Sequence, residues 1–156
     1  MNQIVNETFG GRIRVRVCAL CLHENKILVV KHKGLGRDYF LAPPGGGVEL
    51  FESMEMALSR ELREEANLTL ISAQFSFVCE FIKPPLHAVE MFYWVEWKGD
   101  LKKGSDPEIV EQIIENVFWI DYAQLILEEN ENKHTIFSVF KSIREMKENK
   151  TLFLKI

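Results

Sequence analysis

Between residues 45 and 68 the chain gathers the side chains best suited to chemistry. Gly45-Gly46-Gly47-Val48-Glu49-Leu50-Phe51-Glu52 is followed, seven residues later, by Arg60-Glu61-Leu62-Arg63-Glu64-Glu65-Ala66-Asn67-Leu68. A helix turns by about 100° per residue, so Glu61, Glu64 and Glu65 fall within an arc of roughly 100°. Carboxylates spaced i, i+3 and i+4 repel one another, and near a helix C-terminus the dipole favours cations. Local physics therefore opposes this arrangement twice. A bound Mg2+ or Mn2+ reverses both penalties, because hard cations choose carboxylate and carbonyl oxygens. Gly45, Gly46 and Gly47 let the backbone approach a ligand closely and turn a carbonyl toward a metal. Each half alone has a plainer explanation: a solvated acidic face partnered by Arg60 and Arg63, and a tight turn after Pro44. The joint spacing has to carry the claim.

The flanking pattern supplies the elements that must hold these groups. Residues 13–22 alternate and are rich in valine, which predicts a strand, with a turn over 23–26 and a returning strand from 27 to 30. Residues 31–37 read as an exposed basic loop, and 39–41 as a short strand stopped by Pro43-Pro44. Over 53–66 the pattern becomes helical. Met54, Leu58 and Leu62 form the apolar stripe with Ala57 beside it, Ser53 caps the start, Glu55 suits the first turn, and Asn67 suits a left-handed end. Long strands follow over 68–82 and 88–97, separated by Pro84-Pro85, and then a turn over 99–106. Residues 107–115 are either a short helix or a loop. A strand over 117–120 leads into a short helix capped by Asp121, and 134–146 predicts a longer amphipathic helix. No repeat, low-complexity tract or linker interrupts residues 1–156, so one mixed α/β domain with helices packed on sheets is expected.

The joint spacing resembles the Nudix box: glycine, five residues, glutamate, seven residues, then Arg-Glu-aliphatic-any-Glu-Glu-any-Gly-aliphatic. Gly46, Glu52, Arg60, Glu61, Leu62, Glu64, Glu65 and Leu68 match eight of its nine specified positions. With ordinary residue frequencies, such a match arises by chance in roughly one chain in 10⁵. The order of surrounding segments is also similar to the Nudix α/β/α sandwich with a mixed central sheet, over a core of about residues 12–148. The resemblance implies a pyrophosphohydrolase that cuts the diphosphate linkage of a nucleoside triphosphate or other nucleoside diphosphate derivative. It implies Glu61, Glu64, Glu65 and the Gly45 carbonyl as ligands to Mg2+ (or Mn2+), with Arg60 and Glu52 as a charge-assisted pair that fixes the loop to the helix. Two positions depart from the family pattern. Asn67 replaces the final glycine, which asparagine tolerates, and Phe51 stands where a glycine often precedes the loop glutamate. Many relatives use a further acidic residue, for which Glu111 and Glu115 are candidates. An ADP-ribose or nucleotide-sugar pyrophosphatase and a non-catalytic nucleotide-binding module of the same fold are the alternatives; retention of all three carboxylates and Arg60 argues against the module.

For the substrate, Lys31, His32, Lys33 and Arg37 are placed to contact a polyphosphate tail, or simply solubilise a loop. Phe40, Phe92 and Trp94 suit base stacking, or the core. Lys31, Arg37 and Phe40 are taken as the substrate-binding candidates. With 19 basic and 23 acidic residues, a formal charge of −4, the chain does not advertise a nucleic-acid surface; a small-molecule nucleotide is the expected partner. No apolar run is long enough for a membrane span and the first residues lack the apolar middle of a secretion signal, so a cytoplasmic protein is expected. A homodimer is the default for a small enzyme. Cys18 and Cys21 have half-site spacing for zinc, but in a strand residues three apart face opposite ways. With only Cys79 remaining, buried reduced thiols are the expectation.

Overall fold

Strand β1 (Ile13–His23) organises the molecule, because its middle is buried on both faces. In the computed structural model, which describes residue 7 and residues 10–105 and 113–154, Val17, Ala19 and Cys21 enter one apolar cluster and Cys18 and Leu20 the other. The period of two along the strand thus feeds two cores at once, which is why the segment reads as a nearly continuous apolar run. Cys18 and Cys21 do face opposite layers, and all three cysteines are free and buried.

β1 turns back into β2 (Lys26–His32) and pairs antiparallel with β4 (Gly45–Gly47) and parallel with β6 (Leu86–Lys98). β6 forms a long antiparallel hairpin with β5 (Thr69–Lys83), and the two-residue β8 (Phe153–Leu154) joins the far edge of β5. On the other side β2 pairs antiparallel with β3 (Phe40–Ala42) and β7 (Ile114–Asp121). Helix α1 (Met54–Ala66) covers one core through Ala57, Leu58, Leu62 and Ala66. The opposite core is closed by three short helices, α2 (Tyr122–Leu125), α3 (Ile136–Val139) and α4 (Ile143–Glu148). The result is helices on both faces of a mixed sheet. No described helix is long and apolar enough to cross a membrane.

Both ends of α1 are set by local chemistry. The Ser53 hydroxyl accepts from the Met56 amide at 3.2 Å, and Asn67 takes the left-handed conformation at φ 59° with its amide returned to Arg63 O. Met54 departs from the expected stripe: it is 37% exposed and its sulfur meets the Tyr93 hydroxyl. The whole first turn of the helix is exposed, and the buried stripe starts at Ala57 and Leu58.

The helix expected over 134–146 is broken. Phe140 is extended, at φ −99° and ψ 128°, because its side chain is buried among the core aromatics and its carbonyl accepts from the Tyr122 hydroxyl at 3.0 Å. Helix α4 then restarts at Ser142, whose hydroxyl accepts from the Glu145 amide at 3.1 Å while Glu145 bonds back to the Lys141 amide. Ser142-Ile143-Arg144-Glu145 has the sequence of a capping box, with Glu145 accepting from the amide of Lys141 in place of that of Ser142, and that spacing is the sequence signal that marks the break. A short 3-10 turn (Asn130–Asn132) and β8 were not anticipated either.

Candidate active site

Gly45–Gly47 form a short strand rather than a free loop, because a side chain would not fit. At Gly45, with φ 152°, a methyl would strike the Val17 carbonyl, and at Gly46 it would overlap the Glu61 carboxylate. The close approach brings α1 against the strand. The Gly45 amide donates to Glu65 Oε2 at 2.8 Å.

Arg60 ties the assembly together with all five of its N–H donors. Nε and Nη2 grip the two Glu52 oxygens at 2.9 Å each, and Nη2 also donates to Gly47 O at 2.9 Å. Nη1 reaches Glu61 Oε1 at 2.7 Å and Glu64 Oε2 at 3.4 Å. The fork lowers the Glu52 carboxyl from its ordinary value, and Glu52 with Glu61 raises the guanidinium far above its own. The structure therefore brings Glu52, Arg60, Glu61, Glu64, Glu65 and Gly45 into one patch. Glu61 and Glu65 are buried, and Glu64 is the most accessible of the three helix carboxylates. Their oxygens remain engaged by Arg60 and Gly45, and among the described residues no three His, Cys, Asp or Glu side chains already converge as a cation cage.

Glu61 shows the tension in this patch. Burial, then the neighbouring Glu65, push its carboxyl up to about 8 even though Arg60 and Arg16 pull the other way. Between about 4.5 and 8 the folded protein therefore keeps a proton that the unfolded chain has released, so the contribution of Glu61 to stability falls as pH rises through that window. Glu52, whose folded value is depressed, acts oppositely: its stabilisation is present above 4.5 and is lost in acid. The expected outcome is a metal-free melting temperature that declines from pH 5 to pH 8, with Glu61→Gln flattening the decline; thermal unfolding across pH measures both.

Phe51, in the turn ahead of Glu52, has φ 68° and is 96% exposed. Its backbone sits where a glycine would be unstrained, and its ring covers nothing among the described residues. Phe51→Gly should be neutral or stabilise the fold by up to about 1 kcal/mol through relief of left-handed strain, as read by denaturant unfolding.

Beside Gly45 lies a narrow cavity walled by Phe40, Phe81, Lys83, Arg16, Glu90 and His134. Phe40 is thus at this cavity, with Lys83 Nζ 5.1 Å from its ring centre. Lys31 instead pairs with Glu115 at 3.3 Å over the Tyr39 ring. Arg37 is tied to Glu129 and Glu131 on the surface. His32 Nε2 lies 3.8 Å from Glu65 Oε1. Glu111 falls outside the described residues. Phe92 is wholly buried in the core and Trp94 packs against it.

Arg16, Glu90 and His134 were not singled out in the sequence. Glu90 Oε2 is bonded to His134 Nε2 at 2.7 Å, and Glu90 Oε1 lies 3.3 Å from Arg16 Nε. Burial alone would raise the Glu90 carboxyl, but His134 and Arg16 outweigh it and hold it low. The available signal was a charge flanked by apolar neighbours in each of two strands, Arg16 between Val15 and Val17 and Glu90 between Val89 and Met91.

A model of the NUDIX domain matches residues 12–140. No curated protein sequence matches the chain significantly. Among solved structures, the chain is similar to a MutT NUDIX hydrolase from Burkholderia pseudomallei, at 22% identity and TM-score 0.65, over 83% of this chain and 95% of that one. A MutT protein from Methanosarcina mazei Go1 gives 18% identity and TM-score 0.68 over 88% and 96%. A NUDIX hydrolase from Nitrosomonas europaea gives 16% and 0.65 over 82% and 85%. At these identities the structural likeness speaks for the fold.

Proposed function

The chain belongs to the Nudix family, and on that premise we propose that it is a divalent-cation-dependent pyrophosphohydrolase of a nucleoside triphosphate or another nucleoside diphosphate derivative. The observation that carries this reading is Glu61, a buried carboxylate crowded by Glu65 and kept under electrostatic tension despite its contact with Arg60. A cation relieves that tension. The donor set fits Mg2+ or Mn2+: Glu61, Glu64, Glu65 and the Gly45 carbonyl offer oxygen only, the preference of hard cations. The glycine at 46 leaves the space into which the Glu61 carboxylate projects.

When bound, the cation supplies positive charge to the scissile phosphates and makes water acidic enough to attack near neutral pH. The remaining work falls to the side chains. Glu52 holds Arg60, and Arg60 holds the glycine strand and the acidic face of α1 at a fixed separation. Glu64, the most accessible carboxylate of the three, is the group assigned to orient the attacking water and take its proton. The cavity beside Gly45 offers aromatic walls at Phe40 and Phe81, and Glu90 as an acceptor, which suit a planar nucleobase. Lys31 and Arg37 are the candidates for the phosphate tail, in exchange for their surface carboxylates.

The test is release of phosphate-containing product from a panel of nucleoside triphosphates, ADP-ribose and nucleotide sugars, with and without Mg2+. Turnover of at least one class, only with the metal, is expected. Tight nucleotide binding without turnover on the whole panel would identify a binding module instead.

A further inference from the structure

Arg16 stands at the seam between the cavity and the acidic patch. On β1 it lies opposite Glu90 of the parallel strand β6 and opposite Gly47 of the antiparallel strand β4. Its Nη2 donates to the Gly45 carbonyl at 2.8 Å. Its Nε faces Glu90 Oε1 at 3.3 Å and, although buried, has no hydrogen-bond partner among the described residues. Glu90 and His134 are each only 4% exposed at the side chain. His134 Nδ1 accepts from the Ile136 amide at 3.3 Å, which assigns the ring proton to Nε2, where it is donated to Glu90. Arg16 and His134 thus face the Glu90 carboxylate from two sides, one at each oxygen.

We propose that Arg16 is a positioning residue: braced by Glu90, it fixes the direction of the Gly45 carbonyl and so sets the affinity of the α1 carboxylate site for a divalent cation. This rests on the metal-site reading above. A carbonyl oxygen has two lone pairs, so the guanidinium takes one and leaves the other open to a cation. Glu90 offsets the repulsion between Arg16 and an incoming dication, so orientation is the larger effect of the side chain. Hydrogen bonds that orient a ligand from outside the metal's own contacts typically change metal affinity by about 10–100-fold. The planar fork is the feature that spans Gly45 O and Glu90 together. A lysine keeps the charge but presents a single ammonium that cannot repeat the span.

Mn2+ binding without substrate, followed by electron paramagnetic resonance, tests this on three proteins: the wild type, Arg16→Lys and the doubly neutral Arg16→Gln/Glu90→Gln. The double variant leaves no buried unpaired charge and guards against a merely unfolded single variant; melting curves verify each fold. The expected result is a roughly tenfold or greater loss of Mn2+ affinity in both variants, with an altered Mn2+ spectrum. Wild-type affinity in either folded variant would overturn the role of Arg16 while leaving the metal site standing. Absence of Mn2+ binding to the wild type would overturn the metal-site reading, and this inference with it.

Discussion

Glu64→Gln should lower Mg2+-dependent turnover by about 10²–10⁴-fold, the range associated with loss of a general base, while the folded structure persists. Glu64 lies on the accessible side of α1, and among the described residues the close polar contact of its side chain is the 3.4 Å approach of Arg60 Nη1. Glutamine preserves that contact through its amide oxygen, so secondary structure and melting temperature should stay near those of the wild type. Steady-state kinetics on any substrate that the panel reveals gives the answer. Near-normal rates would remove Glu64 from proton transfer and shift the role to another acid. Glu115 is the described alternative, and it already pairs with Lys31.

The second large effect is structural. Arg60→Ala should destabilise the fold by about 3 kcal/mol, in line with removal of one partner from a buried ion pair. The guanidinium is 17% exposed and Glu52 only 11%, so solvent does little to replace the lost bonds. Three carboxylates, Glu52, Glu61 and Glu64, and the Gly47 carbonyl lose a donor together. Arg60→Lys should recover less than half of the loss, because one ammonium cannot grip both Glu52 oxygens and also reach Gly47 O and Glu61. Denaturant unfolding of the metal-free proteins measures this, and saturating Mg2+ should narrow the gap as the cation takes over the charges that Arg60 had balanced. An Arg60→Ala variant as stable as the wild type would mean that the fork is a surface ornament.

The site was legible where its logic is local. Ser53, Asn67 and the acidic arc lie within one turn-and-helix unit, and periodicity and capping chemistry determine where their side chains point; the Glu52–Arg60 pair followed from the family resemblance. The facing of Cys18 and Cys21 follows from strand geometry in the same way. What escaped depends on distant partners. Arg16 meets Glu90 through the parallel register of β1 on β6, and His134 arrives from the far helical layer; nothing in the spacing of those residues announces either meeting. Residues 134–146 carry helical periodicity throughout, yet Phe140 is pulled straight by burial and by the Tyr122 hydroxyl. Core packing overrode propensity there. Met54 continued the apolar stripe by count, but it sits in the exposed first turn of the helix, one turn before burial begins.

Whether α1 and the glycine strand form a divalent-cation site is read most directly by anomalous diffraction from Mn2+-soaked crystals. The expected result is an anomalous peak ligated by Glu61, Glu64, Glu65 and the Gly45 carbonyl, with the Arg60 contacts to Glu61 and Glu64 loosened. Ordinary solvent between those side chains, even with a non-hydrolysable nucleotide analogue present, would contradict it.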